Sequence, residues 1–92
     1  MIETFKSKAL AAYWNKGDGS KLSAASLPRI GMLLQALNAA TVPEDMNLPG
    51  YHFHQLSGRD AGRFSVRVTA NWRLTFAWEH PNALKVDLED YH

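Results

Sequence analysis

The 92-residue chain is 46% hydrophobic, contains 3 Trp, 3 Tyr and 4 Phe, and carries a formal net charge of only +1. That length makes one domain, 1–92, with enough apolar side chain to close a single core. With no cysteine, disulfides, thiolate metal sites and cysteine nucleophiles are excluded. The opening Met1–Lys6 lacks the basic and then long apolar pattern of a secretory leader. No apolar run nears the ~18 residues needed to span a bilayer, so a soluble, cytoplasmic protein without membrane association is expected.

Residues 1–5 read as a short opening strand, with Ile2 and Phe5 apolar. From Lys6 to about Asn15, Leu10, Tyr13 and Trp14 recur at helical intervals, and Gly17-Asp18-Gly19-Ser20 breaks the element. A second helix follows, with Ser26 as N-cap, Pro28 in the first turn, and Leu27, Ile30, Leu34 and Leu37 along one face. Thr41-Val42-Pro43 ends it, and Leu48-Pro49-Gly50 is a connector after which the spacing changes to period two. A weaker strand around Tyr51–Leu56 leads through the loop Ser57–Gly62 into three half-buried strands. Their apolar sets are Phe64, Val66, Val68; then Trp72, Leu74, Phe76, Trp78; then Leu84, Val86, Leu88. The breaks at Thr69-Ala70-Asn71 and His80-Pro81-Asn82 suit hairpins, so an antiparallel meander is expected. Two N-terminal helices on one face of an antiparallel sheet make a two-layer α+β fold.

The helices are expected to cover the Trp72, Leu74, Phe76 and Trp78 side, with these aromatics in the core. By strand parity the opposite side carries Arg67, Arg73, Thr75 and Lys85, and Tyr91 falls with them. The stretch 59–73 holds Arg59, Arg63, Arg67 and Arg73 against one acid, Asp60, so a locally basic face is available to a polyanion despite the near-neutral total. Four arginines are equally ordinary on a solvated surface, and charge alone does not separate the two readings.

Three segments carry a resemblance. His54-Gln55-Leu56-Ser57-Gly58-Arg59-Asp60-Ala61-Gly62, the hairpin Ser65-Val66-Arg67-Val68 to Asn71-Trp72-Arg73-Leu74-Thr75-Phe76, and the ending Glu89-Asp90-Tyr91-His92 together resemble the HigB-type toxins of the RelE-like superfamily. The opening Met1-Ile2, with Phe5-Lys6, and the length fit as well, so the resemblance covers essentially the whole chain. It implies a RelE-like fold, two helices on a curved antiparallel sheet. It implies cleavage of messenger RNA in the ribosomal (30S) A site, with adenine-rich codons favoured. It also implies a helix-turn-helix antitoxin of the HigA type, through which alone the pair would meet operator DNA. Some members have a lysine just before the loop glycine, where this chain has Ser57; any phosphate contact made by that lysine then falls to Arg59 or Arg63.

RNA can be cut without metal because its 2′-OH can attack the neighbouring phosphorus. The step needs a base for the 2′-OH proton, an acid for the departing 5′-oxygen, and donors for the charged phosphorane. His54 and His92 are the candidates for proton transfer, since imidazole populates both forms near neutral pH. Asp90 can orient a histidine or take the 2′-OH proton, and Tyr91 can stack on a base or bond the phosphate. Arg73 is the first candidate for charge stabilisation. Arg59, Arg63, Arg67 and Lys85 are the expected RNA contacts. Which histidine is base and which acid stays open at this stage. No metal and no cofactor is expected: His52 and His54 have a spacing that can ligate a metal, but no acidic or cysteine cluster completes a site. His52 is read as structural and His80 as solvent-exposed in its turn. The alternatives are a ParE-like toxin, which shares the fold but poisons gyrase, and a non-catalytic RNA- or ribosome-binding module needing neither His54 nor the terminal residues.

Overall fold

The computed structural model describes residues 1–90, which form helices α1 (Lys8–Lys16) and α2 (Leu27–Ala39) and four strands, β1 (His54–Gln55), β2 (Arg63–Arg67), β3 (Trp72–Glu79) and β4 (Asn82–Asp90). The strands make one antiparallel sheet in the order β1-β2-β3-β4, the expected meander. Tyr91 and His92 lie outside the described residues, and with them the expectation that Tyr91 shares the polar face.

The Ser7 hydroxyl caps α1 by accepting from the Leu10 N–H at 3.1 Å, and Gly17, at φ 71°, ends the helix in the left-handed conformation glycine tolerates. The entry to α2 differs from expectation. Ser26 is already helical (φ −93°, ψ −11°), being the last residue of a 3-10 turn, Ala24–Ser26, and its side chain makes no capping bond. Pro28 does occupy the first turn, and Ile30, Leu33, Leu34 and Leu37 are fully buried. These meet Leu10, Val66, Leu74, Phe76, Ala83 and Val86 in one apolar cluster. Rings Phe53, Phe64 and Phe76 stack in sequence beside it, at 5.9 and 5.6 Å between centroids. Arg29 ties α2 to the end of β2, donating to the Val68 carbonyl at 2.8 Å with its guanidinium over the Tyr51 ring.

The opening residues pair parallel to β4 as two isolated bridges, Ile2 with Ala83 and Phe5 with Val86, rather than as a strand. The strand expected at Tyr51–Leu56 shrinks to His54–Gln55 because His52 sits at φ 51°, which interrupts an extended run. Trp72, expected in the core, is 42% exposed; it lies at the rim of an apolar groove with Leu22, Ile30, Val68 and Leu88.

The largest departure is in β4. The hairpin begins with Glu79 opposite Asn82, Trp78 opposite Ala83 and Ala77 opposite Leu84, but Thr75 faces Asp87. One extra residue has entered β4 at Lys85–Val86, a β-bulge. Strict alternation therefore fails: Ala83 rather than Leu84 is buried in the core, and Lys85 leaves the row of polar-face residues in which parity had put it. Lys85 is exposed and takes a left-handed φ of 51°. Its backbone groups, freed from the ladder, are satisfied from elsewhere: the Lys85 N–H donates to the Thr4 hydroxyl at 2.8 Å, and its carbonyl accepts from Arg63 Nη2 at 2.9 Å.

Glycine in a strand normally costs about 0.5–1 kcal/mol. At position 85 relief of the left-handed strain, on the order of 1 kcal/mol or more, offsets that cost. Chemical denaturation of Lys85→Gly is expected to show stability equal to or up to about 1 kcal/mol above wild type, whereas Lys85→Val is expected to lose stability.

Candidate active site

In an antiparallel sheet, cross-strand partners project from the same face, so the register sorts the candidates. His54 faces Ser65, Ser65 faces Thr75, and Thr75 faces Asp87; in the next row Arg67 faces Arg73, and Arg73 faces Glu89. Two residues from Ser65 along β2, Arg63 shares that side. The face opposite Val66, Leu74 and Phe76 thus gathers one histidine and three arginines, as strand parity had suggested for Arg67 and Arg73.

His54 is exposed, and its Nδ1 lies 3.0 Å from the His52 carbonyl. A carbonyl only accepts, so in the tautomer that satisfies this contact the neutral ring carries its proton on Nδ1 and its lone pair on Nε2. His52, His54, Arg67 and Ala70 line one open depression. His52, read as structural from the sequence, therefore stands at the edge of the candidate site. Its period-two spacing from His54 was the available signal. Arg67 donates from Nε to the Thr69 carbonyl at 3.2 Å, which directs its guanidinium along the β2–β3 turn.

Beside this depression is a network of charged side chains. Arg63 Nη2 donates to the fully buried Thr75 hydroxyl at 2.9 Å, and that hydroxyl donates to Glu89 Oε2 at 2.5 Å. Glu89 also lies 3.9 Å from Arg63 and 3.8 Å from Arg73. Ser65 is fully buried under the same face, and its hydroxyl has no hydrogen-bond partner among the described residues. Among the described residues, the carboxyls held below their ordinary range lie elsewhere: Asp18 by hydrogen bonds from Ser20, and Asp45 by the Thr41 N–H and hydroxyl. Among the described residues, no three of His, Asp and Glu come together as a metal-holding group, and no helix is long and apolar enough to cross a membrane.

A polar sheet face bearing histidine and arginines, opposite two helices, is the arrangement that the sequence resemblance anticipates. The model of RelE-like toxins of type II toxin–antitoxin systems, HigB, matches residues 3–92. The chain belongs to that family. The toxin is 39% identical over 92 residues, the full length of both chains, to a Proteus vulgaris protein named endoribonuclease HigB. It is 30% identical to toxin HigB-1 of Vibrio cholerae serotype O1, over 99% of this chain and 98% of that one. Among solved structures, a variant of YafQ from E. coli superposes with a TM-score of 0.65 at 16% identity, covering 99% of this chain and 94% of that one. A mutant toxin from Helicobacter pylori gives 0.55 at 12% identity, over 99% and 96%. At such identities these two speak for the fold alone.

Not every sequence candidate of the toxin joins the face. Asp90 pairs with Trp72, so its register is that of the opposite, helix-covered side, and it is exposed there. Arg59 is exposed in the 3-10 turn Gly58–Asp60, at the loop leading into β2. Arg63, expected to contact RNA, has its Nη2 engaged by Thr75 and the Lys85 carbonyl, with its side chain only 15% exposed. It holds the bulge and the network together. Lys85 remains available to solvent, though in the bulge rather than in the arginine row. His92 and Tyr91 lie outside the described residues. Sequence reading missed Glu89 because pairing it with Arg73 requires knowing where the bulge falls.

Hydrogen bonds from charged donors are worth about 1.5–3 kcal/mol. Arg63→Ala is expected to lower unfolding free energy by about that amount in urea titrations. Arg59→Ala, at an exposed turn position, should stay within about 0.5 kcal/mol of wild type. Equal costs at the two positions would contradict the structural assignment of Arg63.

Proposed function

We propose that this toxin is an endoribonuclease that cleaves messenger RNA in the ribosomal A site by metal-independent attack of the 2′-OH, and so halts translation. The observation that carries this reading is the register that aligns His54, Arg67 and Arg73 on one open face of the sheet. Full-length similarity to a protein named as an endoribonuclease supports the same class of activity.

His54 is assigned the general base. Its Nδ1–H is directed to the His52 carbonyl, so Nε2 is the basic atom presented to substrate. His92 then donates the proton to the departing 5′-oxygen, leaving a 2′,3′-cyclic phosphate on the upstream fragment. Arg73 stabilises the charge that develops on the phosphorane, and Arg67 holds a neighbouring phosphate. Tyr91 stacks on a base, and Asp90, whose register turns it away from the arginine row, orients the terminal residues rather than touching phosphate. Arg59 and Lys85, both exposed, supply backbone contacts to RNA. A chain of this size presents few residues for gripping a flexible strand, and the ribosome supplies the positioning that it lacks. The partner that restrains the toxin is a helix-turn-helix antitoxin of the HigA type, which carries the pair to operator DNA.

The test is expression of wild type, His54→Ala and His92→Gln from a tight promoter, followed by mapping of transcript 5′ ends after brief induction. Wild type is expected to arrest growth with new ends inside translated codons, and each variant to fold yet lose those cuts. Arrest without new RNA ends would move the target to gyrase, and absence of arrest would leave a passive binding module. Cuts that persist in His54→Ala would remove the base assignment while leaving the nuclease.

A further inference from the structure

The polar face holds a carboxylate where a surface built only to grip phosphate would have none. Glu89 lies in the same cross-strand row as Arg67 and Arg73, and its charge repels the anion that those arginines attract. Its surroundings are ordered. The Thr75 hydroxyl, fully buried, donates to Glu89 Oε2 at 2.5 Å and accepts from Arg63 Nη2 at 2.9 Å, so the carboxylate is clamped from beneath. Its other oxygen, Oε1, lies 3.8 Å from Arg73 Nη2, with side chains 30% and 19% exposed. At that separation the attraction is electrostatic.

We infer that Glu89 and Thr75 are positioning residues for the cleavage reaction: Thr75 clamps the Glu89 carboxylate, and the carboxylate fixes the Arg73 guanidinium where the phosphorane's charge develops. The inference rests on the role given to Arg73 above. Two arginines directly opposite each other on one face repel, and the Glu89 carboxylate offsets that repulsion at Arg73. A long side chain that must be ordered on each encounter loses part of its stabilising effect to that ordering. Glu89 supplies the order beforehand. Thr75 in turn keeps Glu89 from folding over the guanidinium into a bidentate pair, which would compete with substrate.

A purely structural counter-ion would show itself in stability alone, and a purely repulsive charge would weaken substrate binding. Positioning has a third signature, in the rate at saturation. The experiment is single-turnover cleavage of messenger in programmed ribosome complexes, over a range of toxin concentrations, with thermal melting of each variant. Glu89→Gln and Thr75→Val, both nearly isosteric, are expected to lower the saturating rate by about tenfold or more. Half-saturation should be unchanged, or shifted to lower toxin concentration in Glu89→Gln, where the face gains positive charge. Thr75→Ser, which retains the hydroxyl, should restore most of the rate, including under conditions where Thr75→Val melts at the wild-type temperature.

A saturating rate within twofold of wild type in Glu89→Gln, or Thr75→Ser as slow as Thr75→Val, would overturn the inference. Should Glu89→Gln fail to fold, the Thr75 pair decides the question in the same way. Arg73→Ala separates the layers of the argument. If it cuts as fast as wild type, Arg73 has no role and the positioning inference falls with it, while the nuclease reading stands. If wild type itself cuts nothing, both fall together.

Discussion

A turn at His80–Pro81 sets Glu79 opposite Asn82, and the same register continued down the hairpin would set Thr75 opposite Val86 and Arg73 opposite Leu88. Two apolar residues would then share a face with the arginines, and Asp87 and Glu89 would point into the core. The extra residue at Lys85–Val86 removes this conflict. Past it, Val86 is fully buried, Leu88 faces Leu74, and Glu89 faces Arg73. A shift of one residue exchanges every side chain between faces, so a single bulge decides both the core and the polar surface. Its cost falls on Lys85, in a left-handed conformation, and its open backbone groups are met by Thr4 and Arg63.

Arg63 therefore connects the fold to the site. One of its nitrogens bonds both the Lys85 carbonyl in the bulge and the Thr75 hydroxyl beneath Glu89. The remaining arginines have different company. Arg67 lies toward the open depression that also contains His52 and His54, and Arg73 sits between Arg67 and Glu89 in the cross-strand row. Residue type alone would class these three arginines together. Their neighbours divide them into one that holds the sheet and two that lie in the cross-strand row beside the depression.

Much of the architecture was legible from spacing. Period-two runs located β2, β3 and β4 and their hairpins, and helical spacing located α1 and α2 to within a few residues. His54 and Arg73 stood out by family resemblance and lie on one face. Other readings failed for local reasons. Ser26 does not cap α2, because the chain enters through a 3-10 turn. Trp72 follows core parity yet lies at the first position of its strand, on the rim of the groove beside Ile30, and stays 42% exposed. The register alone separates Asp90, which pairs with Trp72, from the row that holds Arg73, and its grouping with the catalytic residues remains what the resemblance implies.

What the sequence by itself determined is the class of structure and the kinds of chemistry available. Two amphipathic helices and an alternating sheet must bury their apolar faces together, and the opposite sheet face must then carry Arg67 and Arg73. What only the tertiary structure decided is which polar residues become neighbours. Alternation specifies a face but not a partner, because partners across strands depend on the turn and on any bulge after it. The Glu89–Thr75–Arg63 contacts and the side-chain support of Lys85 join residues 12 to 81 positions apart. Such contacts exist only once the register is closed, so no local pattern in the chain encodes them.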